Sequence, residues 1–303
     1  MQTLARQPLK TLKAEFRLRR AAASRTNETV LISRQASPLS NGHIERELLS
    51  KAARGVYDFD DALGTIQRTS SRSAWSKQRV WMQSVSAADV VIAGNTYLAD
   101  QASQHSQNVV VIPSCVDPGD YTTKADYSIA GAPRAMWIGS PSTEQYLSTI
   151  SEALLTVHQS TGLRLTVISA GNSSLGPLDV MVDRKNWTRS TFGEDVSHAD
   201  FGIMPLIDDE WTRGKCAYKL LQYGAAGLPV FGSPIGANAE VLARAGAGGP
   251  TSTEEWVFEL ESLIHESSAA RAEKGSRARQ TVVAHYSFAA WAAKWAESVG
   301  YAQ

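Results

Sequence analysis

Residues 199–240 read ADFGIMPLIDDEWTRGKCAYKLLQYGAAGLPVFGSPIGANAE, and the alternation of apolar runs with turn residues there decides the architecture. Asp200 to Met204 is a short apolar run closed by Pro205, the pattern of a strand covered on both faces. The polar stretch from Leu206 to Gly214 carries Asp208, Asp209, Glu210, Trp211 and Arg213. Ala217, Leu220, Leu221 and Ala225 then fall on one helical face, and Gly227 with Pro229 stops that helix. Val230 and Phe231 begin another strand, and Gly232 to Gly236 leads into a helix over Ala237 to Ala243. Successive strand-to-helix turns bring helix N-termini to one edge of a parallel sheet, and their exposed N–H groups suit an anionic ligand, above all a diphosphate.

The same alternation extends through the chain. Strands are expected at Thr29–Ser33, Gly55–Phe59, Asp89–Ala93 and Val109–Ile112, with helices near Ile44–Ala53, Lys77–Ala87 and Thr96–Ser106, the last capped by Asn95. Gly64–Ser76 reads as a mobile loop rich in serine and arginine. Pro113, Pro118 and Gly119 mark a link between domains. Beyond it come a strand at Arg134–Ile138, a helix over Ser142–His158 opened by the Ser142 hydroxyl, and a strand at Arg164–Ser169. A short strand is expected near Asn186–Thr188, and helices over Glu254–Ile264, Ala269–Tyr286 and Phe288–Ser298. Trp291 and Trp295, one turn apart, read as core. Near-continuous apolar strands between helices define a parallel α/β protein.

The 303 residues are enough for two cores, and 30 basic against 30 acidic side chains leave no formal net charge. Nothing in that balance favours nucleic acid as a partner. Cys115 and Cys216 have no ligand or redox spacing, which fits a reducing, cytoplasmic setting. The histidines form no metal pattern, and neither a P-loop nor a G-x-S-x-G turn occurs. No apolar run approaches the ~20 residues of a membrane span. Met1–Thr29 is basic and lacks the apolar core of a secretory signal. Leu9, Leu12, Phe16 and Leu18 would share one face of a helix there, giving either an ordinary surface helix or weak adsorption to an anionic inner membrane face.

RGKCAYKLLQYGAAGLPVFGSPIGANAEVL, residues 213–242, is similar to the donor-site segment of the retaining glycosyltransferases of family four (group 1). VYDFDDAL (56–63), ADVVIAGNTYLADQA (88–102), VVVIPSCVD (109–117) and MWIGSPSTEQYL (136–147) resemble that family's segments in the same order. The resemblance implies the GT-B fold of two Rossmann-like domains: a reduced N-terminal acceptor-side domain over 1–115 and a donor domain over 116–284. A C-terminal helix over 285–303 would pack back on the first domain. It implies a metal-independent hexosyltransferase that moves a sugar from a nucleoside diphosphate to a hydroxyl acceptor with retention of configuration, needing no further cofactor.

The resemblance also assigns roles. The Gly139-Ser140-Pro141-Ser142 turn would face the donor diphosphate. Where many members then offer an Arg and a Lys, this chain has Ser142, Thr143 and Glu144, so Arg213 and Lys215 stand as replacement cations. Lys219 resembles the family's Lys in its K-L-L-E-Y pattern and would touch phosphate. The family's two glutamates correspond to Gly214 and Gln222, of which Gln222 can still bond a ribose diol. Gly236, Ala237 and Asn238 would present backbone N–H groups, with Glu240 capping that helix reciprocally. Asp60 and Asp61 look like the family's His-Asp pair and would contact the sugar or acceptor in preference to Mg²⁺.

The short first domain leaves three readings open: a compact enzyme, an enzyme completed by a second copy or a partner subunit, or a chain lacking its beginning. A non-catalytic sugar-nucleotide-binding or regulatory subunit is the alternative function, motivated by Gly214 and Gln222.

Overall fold

The computed structural model describes residues 8–65 and 76–301. The part of the expected loop at 66–75 and the side chain of Leu9 lie outside the described residues. Two compact units form. The first takes the described residues up to Pro113, the strip Arg213–Cys216 and the tail from Ala292; the second takes Ser114–Thr212 and Ala217–Trp291.

The first unit is built on strands β1 (Thr29–Ser33), β2 (Arg54–Phe59), β3 (Val90–Ala93) and β4 (Val109–Val111). They are all parallel and lie in the order β1-β2-β3-β4, with Leu31 opposite Val56 and Ile92 opposite Val110. Helices α1 (Pro8–Ala23), α2 (His43–Ser50), α3 (Lys77–Ala87) and α4 (Thr96–Ser103) complete it. Val56, Tyr57, Val91 and Ile92 are buried because central parallel strands are covered on both faces. Phe59 stacks on Tyr57 and meets the Trp81 ring edge-on at 5.9 Å. The expected Asn95 cap holds, accepting from the Leu98 N–H at 2.9 Å, and Ser76 also opens α3 by accepting from Arg79.

The second unit holds β5 (Arg134–Ile138), β6 (Arg164–Ile168), β7 (Val182–Lys185), β8 (Phe201–Met204) and β9 (Val230–Gly232), all parallel in the order β7-β6-β5-β8-β9. Strand order reverses beside β5, the kind of switch point at which open α/β sheets bind ligands. Alternate residues serve opposite faces. Met136, Ile138 and Met204 join one core with α8 (Tyr218–Ala225), α9 (Ala237–Ala245) and α11 (Ser268–His285). Ala135, Trp137, Val167 and Phe201 join the other with α5 (Ser151–Thr161) and α10 (Thr253–His265). Each Val, Ile, Met or Phe side chain buried in this way contributes about 1.5–3 kcal/mol. The wholly buried Tyr223 hydroxyl ties β5 to β8, accepting from the Ile138 N–H at 3.0 Å and donating to the Ile203 carbonyl at 3.2 Å.

Three local expectations are corrected. Pro141–Ile150 is a 3₁₀ helix, and the α-helix begins only at Ser151. The segment PSTEQYLSTI is dense in hydroxyls that bond carbonyls three residues back: Thr143 to Ser140, Ser148 to Gln145 and Thr149 to Tyr146, at 2.6–2.9 Å. Those bonds favour the tighter turn. The strand expected at 186–188 lies earlier, at Val182–Lys185, because Leu165–Ile168 pair with it in register. Trp295 is not core: it is 43% exposed on α12 (Phe288–Ser298). The tail from Ala292 groups with the first unit, where Arg54 donates to the Ser298 carbonyl at 3.0 Å and Thr29 to the Val299 carbonyl at 3.2 Å.

Candidate functional site

In the second unit, Gly139 ends β5, and its N–H donates to the Ile168 carbonyl at 3.0 Å. A Cβ at this position would stand 2.5 Å from the Trp137 ring and 2.9 Å from Lys219 Cε, so the turn admits only glycine. The Lys219 ammonium lies over the Trp137 indole, 5.1 Å from the ring centroid. That contact fixes the cation on the first turn of α8, beside the C-terminal end of β5. Gln222, one turn along α8, is buried and shares a hydrogen bond with the Tyr121 hydroxyl. Burial pushes the Tyr121 phenol far above the usual tyrosine range, so it stays neutral.

The Ser140 and Ser142 hydroxyls are exposed and lie 3.1 Å apart. Ser142 does not cap an α-helix: Ser140 holds the cap position of the 3₁₀ turn, and neither satisfies a backbone N–H there. Glu144 is turned inward, nearly buried, and paired with Arg184. Arg184 also donates to the carbonyls of Gly171 and Ser173, which ties down the loop after β6.

Gly236 opens α9 with φ 56° and ψ −133°, a backbone that side chains disfavour. With Ala237 it brings the helix start to the C-terminal end of β9. Asn238 departs from expectation. Its N–H is taken by the Ile235 carbonyl at 3.1 Å, and its fully buried amide donates to the Ser233 carbonyl at 3.1 Å. Asn238 therefore braces the turn that presents Gly236 and Ala237. Glu240 does not cap the helix either; it is drawn to Arg244 at 3.0 Å, one turn on. Beyond α6 (Phe192–Ser197), in the acidic loop, Asp209 caps α7 (Glu210–Arg213) by accepting from the Thr212 N–H at 2.7 Å.

The first unit gathers a second constellation at the C-terminal end of β2. Asp61 is held between two cations: Lys215 at 2.8 Å from one carboxylate oxygen, and the Arg34 guanidinium on the other. Arg34 also meets Asp60 at 3.3 Å. Asp58, beside them, accepts from the Ser33 hydroxyl, and burial raises its carboxyl above the ordinary aspartate range. The Asn95 amide donates to the carbonyls of Arg213 and Lys215 at 3.2 and 3.1 Å, and the Cys216 thiol to the Asp60 carbonyl at 3.3 Å. These bonds fix the strip Arg213–Cys216 on the first unit. Among the described residues no group of three or more His, Cys, Asp or Glu is arranged to hold a metal ion.

Sequence reasoning missed Arg34, Tyr121 and Trp137. Arg34 follows β1 with φ 62°, a left-handed conformation rare outside glycine. Its N–H donates to the Asp58 carbonyl at 2.8 Å, and the Tyr57 hydroxyl donates to its carbonyl at 2.9 Å. A positively charged residue directly after an apolar strand is its one signal in the sequence.

This arrangement, two parallel α/β units with the second ordered 3-2-1-4-5 by strand, is the GT-B fold of glycosyltransferases. The pneumococcal O-GlcNAc transferase GtfA, solved with UDP and GlcNAc, superposes with a TM-score of 0.68 at 14% identity, over 95% of this chain and 60% of GtfA. HepE from Anabaena, with UDP and glucose, gives 0.68 at 14% identity, over 89% of this chain and 77% of HepE. A TarM variant from S. aureus, with UDP, fondaparinux and α-GlcNAc-glycerol, gives 0.66 at 12% identity, over 89% and 55%. The chain thus spans 55–60% of the length of TarM and GtfA. No family model matches it, and no curated protein is similar to it in sequence. At these identities the likeness is one of fold.

Proposed function

We propose that the protein is a retaining glycosyltransferase of the family-four type, a hexosyltransferase that takes its sugar from a nucleoside diphosphate and gives it to a hydroxyl acceptor without a metal ion. The observation that carries this reading is Lys219, held over Trp137 beside a glycine-only turn at the sheet's switch point. The solved structures of the same fold that hold UDP support it.

As the bond between the sugar and the β-phosphate breaks, negative charge builds on the departing diphosphate. Lys219, the Gly139 turn with Ser140 and Ser142, and the N–H groups of Gly236 and Ala237 would meet that charge. Gln222 would bond the ribose. Arg213 and Lys215 are kept as further donor-side cations on the strength of the sequence resemblance. Asp60 and Asp61 would orient sugar or acceptor hydroxyls. We place the reaction in the cytoplasm; no helix among the described residues is long and apolar enough to cross a membrane. The partners of this reading are the nucleotide sugar, a hydroxyl acceptor and a second copy or a partner subunit.

The test is turnover of a panel of UDP- and GDP-sugars by the whole chain, with Lys219→Ala and Arg213→Ala beside it. Loss of one fixed cation should lower turnover about 100-fold or more. Binding of donor with no release of nucleotide would instead identify a regulatory subunit, and unchanged turnover in both variants would overturn the residue assignment.

A further inference from the structure

We infer that α1 docks the protein on an anionic lipid surface. One face of the helix is fastened to the first unit. Glu15, 8% exposed, accepts from the Ser37 hydroxyl at 2.6 Å, Ala22 is buried, and the Lys51 ammonium donates to the last carbonyls, those of Ala22 and Ala23, at 3.0 and 3.4 Å. Glu15 is also the only acid in PLKTLKAEFRLRRAAA, and it is paired with Arg19 at 3.1 Å. Fastening the helix in this way therefore removes its one negative charge from the outward surface.

What remains outward is cationic and apolar together. Lys10, Lys13, Arg17 and Arg20 are exposed. Leu12 and Phe16, one turn apart on the same side, are 58% and 70% exposed. A polyphosphate backbone or an acidic protein would use the cations and leave Leu12 and Phe16 in water. An anionic bilayer uses both: each Lys or Arg near such a surface contributes about 1 kcal/mol, and the two apolar side chains enter the headgroup boundary. The combination, with no outward acid, selects the bilayer. This inference does not depend on the sugar-transfer reading.

The experiment is flotation of the full chain with vesicles of phosphatidylcholine, alone or mixed with phosphatidylglycerol, at low and high salt. The expected result is co-flotation with the anionic vesicles only, weakened by salt. Both Leu12→Ser/Phe16→Ser and Lys13→Gln/Arg17→Gln/Arg20→Gln should lower the bound fraction about tenfold or more. The replaced side chains are exposed, so thermal unfolding should be unchanged and shows that the variants are folded. Failure of the wild-type chain to float, or equal binding to phosphatidylcholine alone, overturns the inference. Undiminished binding by the Leu12→Ser/Phe16→Ser variant also overturns it and leaves only a basic surface of the kind that takes a polyanion.

Discussion

Glu144 and Arg184 are joined by two guanidinium–carboxylate contacts, 3.1 and 3.3 Å, with Glu144 almost wholly removed from water. Glu144 lies in the helical stretch after β5 and Arg184 on β7, so the pair spends its charge inside the unit. Replacing Glu144 by Ala should cost about 1–3 kcal/mol of stability, since the arginine loses its carboxylate and keeps only the carbonyls of Gly171 and Ser173. The double variant Glu144→Met/Arg184→Met should recover a large part of that loss. Urea unfolding of the single and double variants measures the coupling, and additive losses would show that the two residues act independently.

Gly139 is the tightest point of the turn after β5. Gly139→Ala would drive a methyl group into the Trp137 ring and the Lys219 stem, with contacts at 2.5 and 2.9 Å. A loss of about 1–3 kcal/mol is expected from overpacking, together with weaker nucleotide binding as Lys219 is displaced. Urea unfolding and titration with UDP would read the two effects separately. A variant as stable as the wild type with unchanged affinity would contradict the geometry.

Arg34 combines a left-handed backbone with two ion pairs, so its replacements should differ in an unusual order. Arg34→Gly loses the contacts to Asp60 and Asp61 but relieves the backbone at φ 62°. Arg34→Ala loses the same contacts and keeps the strain. The alanine variant should be less stable than the glycine variant by about 1 kcal/mol, the reverse of the order in a helix. Equal midpoints in chemical denaturation would argue against that conformation.

Asp58 supplies a pH dependence of defined sign. Burial raises its carboxyl, so the native state binds this proton more tightly than the unfolded chain. Its contribution is fully present below the unfolded value, near ~3.9, and is lost as pH rises through the raised native value. Asp58→Asn, which stays neutral and can still accept from Ser33, should remove that part of the decline. Stability of the two proteins measured from acidic to neutral pH would converge at the acid end and separate toward neutrality. Parallel curves would assign the dependence elsewhere.

The strands were legible because their apolar runs are bounded by Gly, Pro and Asp, as at Phe201–Met204 before Pro205 and Val230–Gly232 after Pro229. The turns at Gly139 and Gly236 were legible for the same reason. The 3₁₀ stretch over Pro141–Ile150 was not: its apolar spacing suits a helix, and only the serine and threonine hydroxyls tilt it toward the tighter form. Asn238 reads as offering its backbone N–H to a ligand and Glu240 as a reciprocal cap, yet their actual partners, the Ile235 carbonyl and Arg244, are ordinary neighbours that sequence spacing does not rank. Arg34 was invisible because its importance lies in a backbone angle and in partners 26 and 27 residues away, Asp60 and Asp61.

The strip Arg213–Cys216 folds with the first unit while Thr212 and Ala217, on either side of it, fold with the second. Counting the tail, the polypeptide changes unit at 113/114, 212/213, 216/217 and 291/292. A gene opened at Ser114 would leave that strip without its host, and one truncated after Trp291 would strip the first unit of its last segment. Either break therefore damages the first unit, and the two units are expected to be inherited as one indivisible piece.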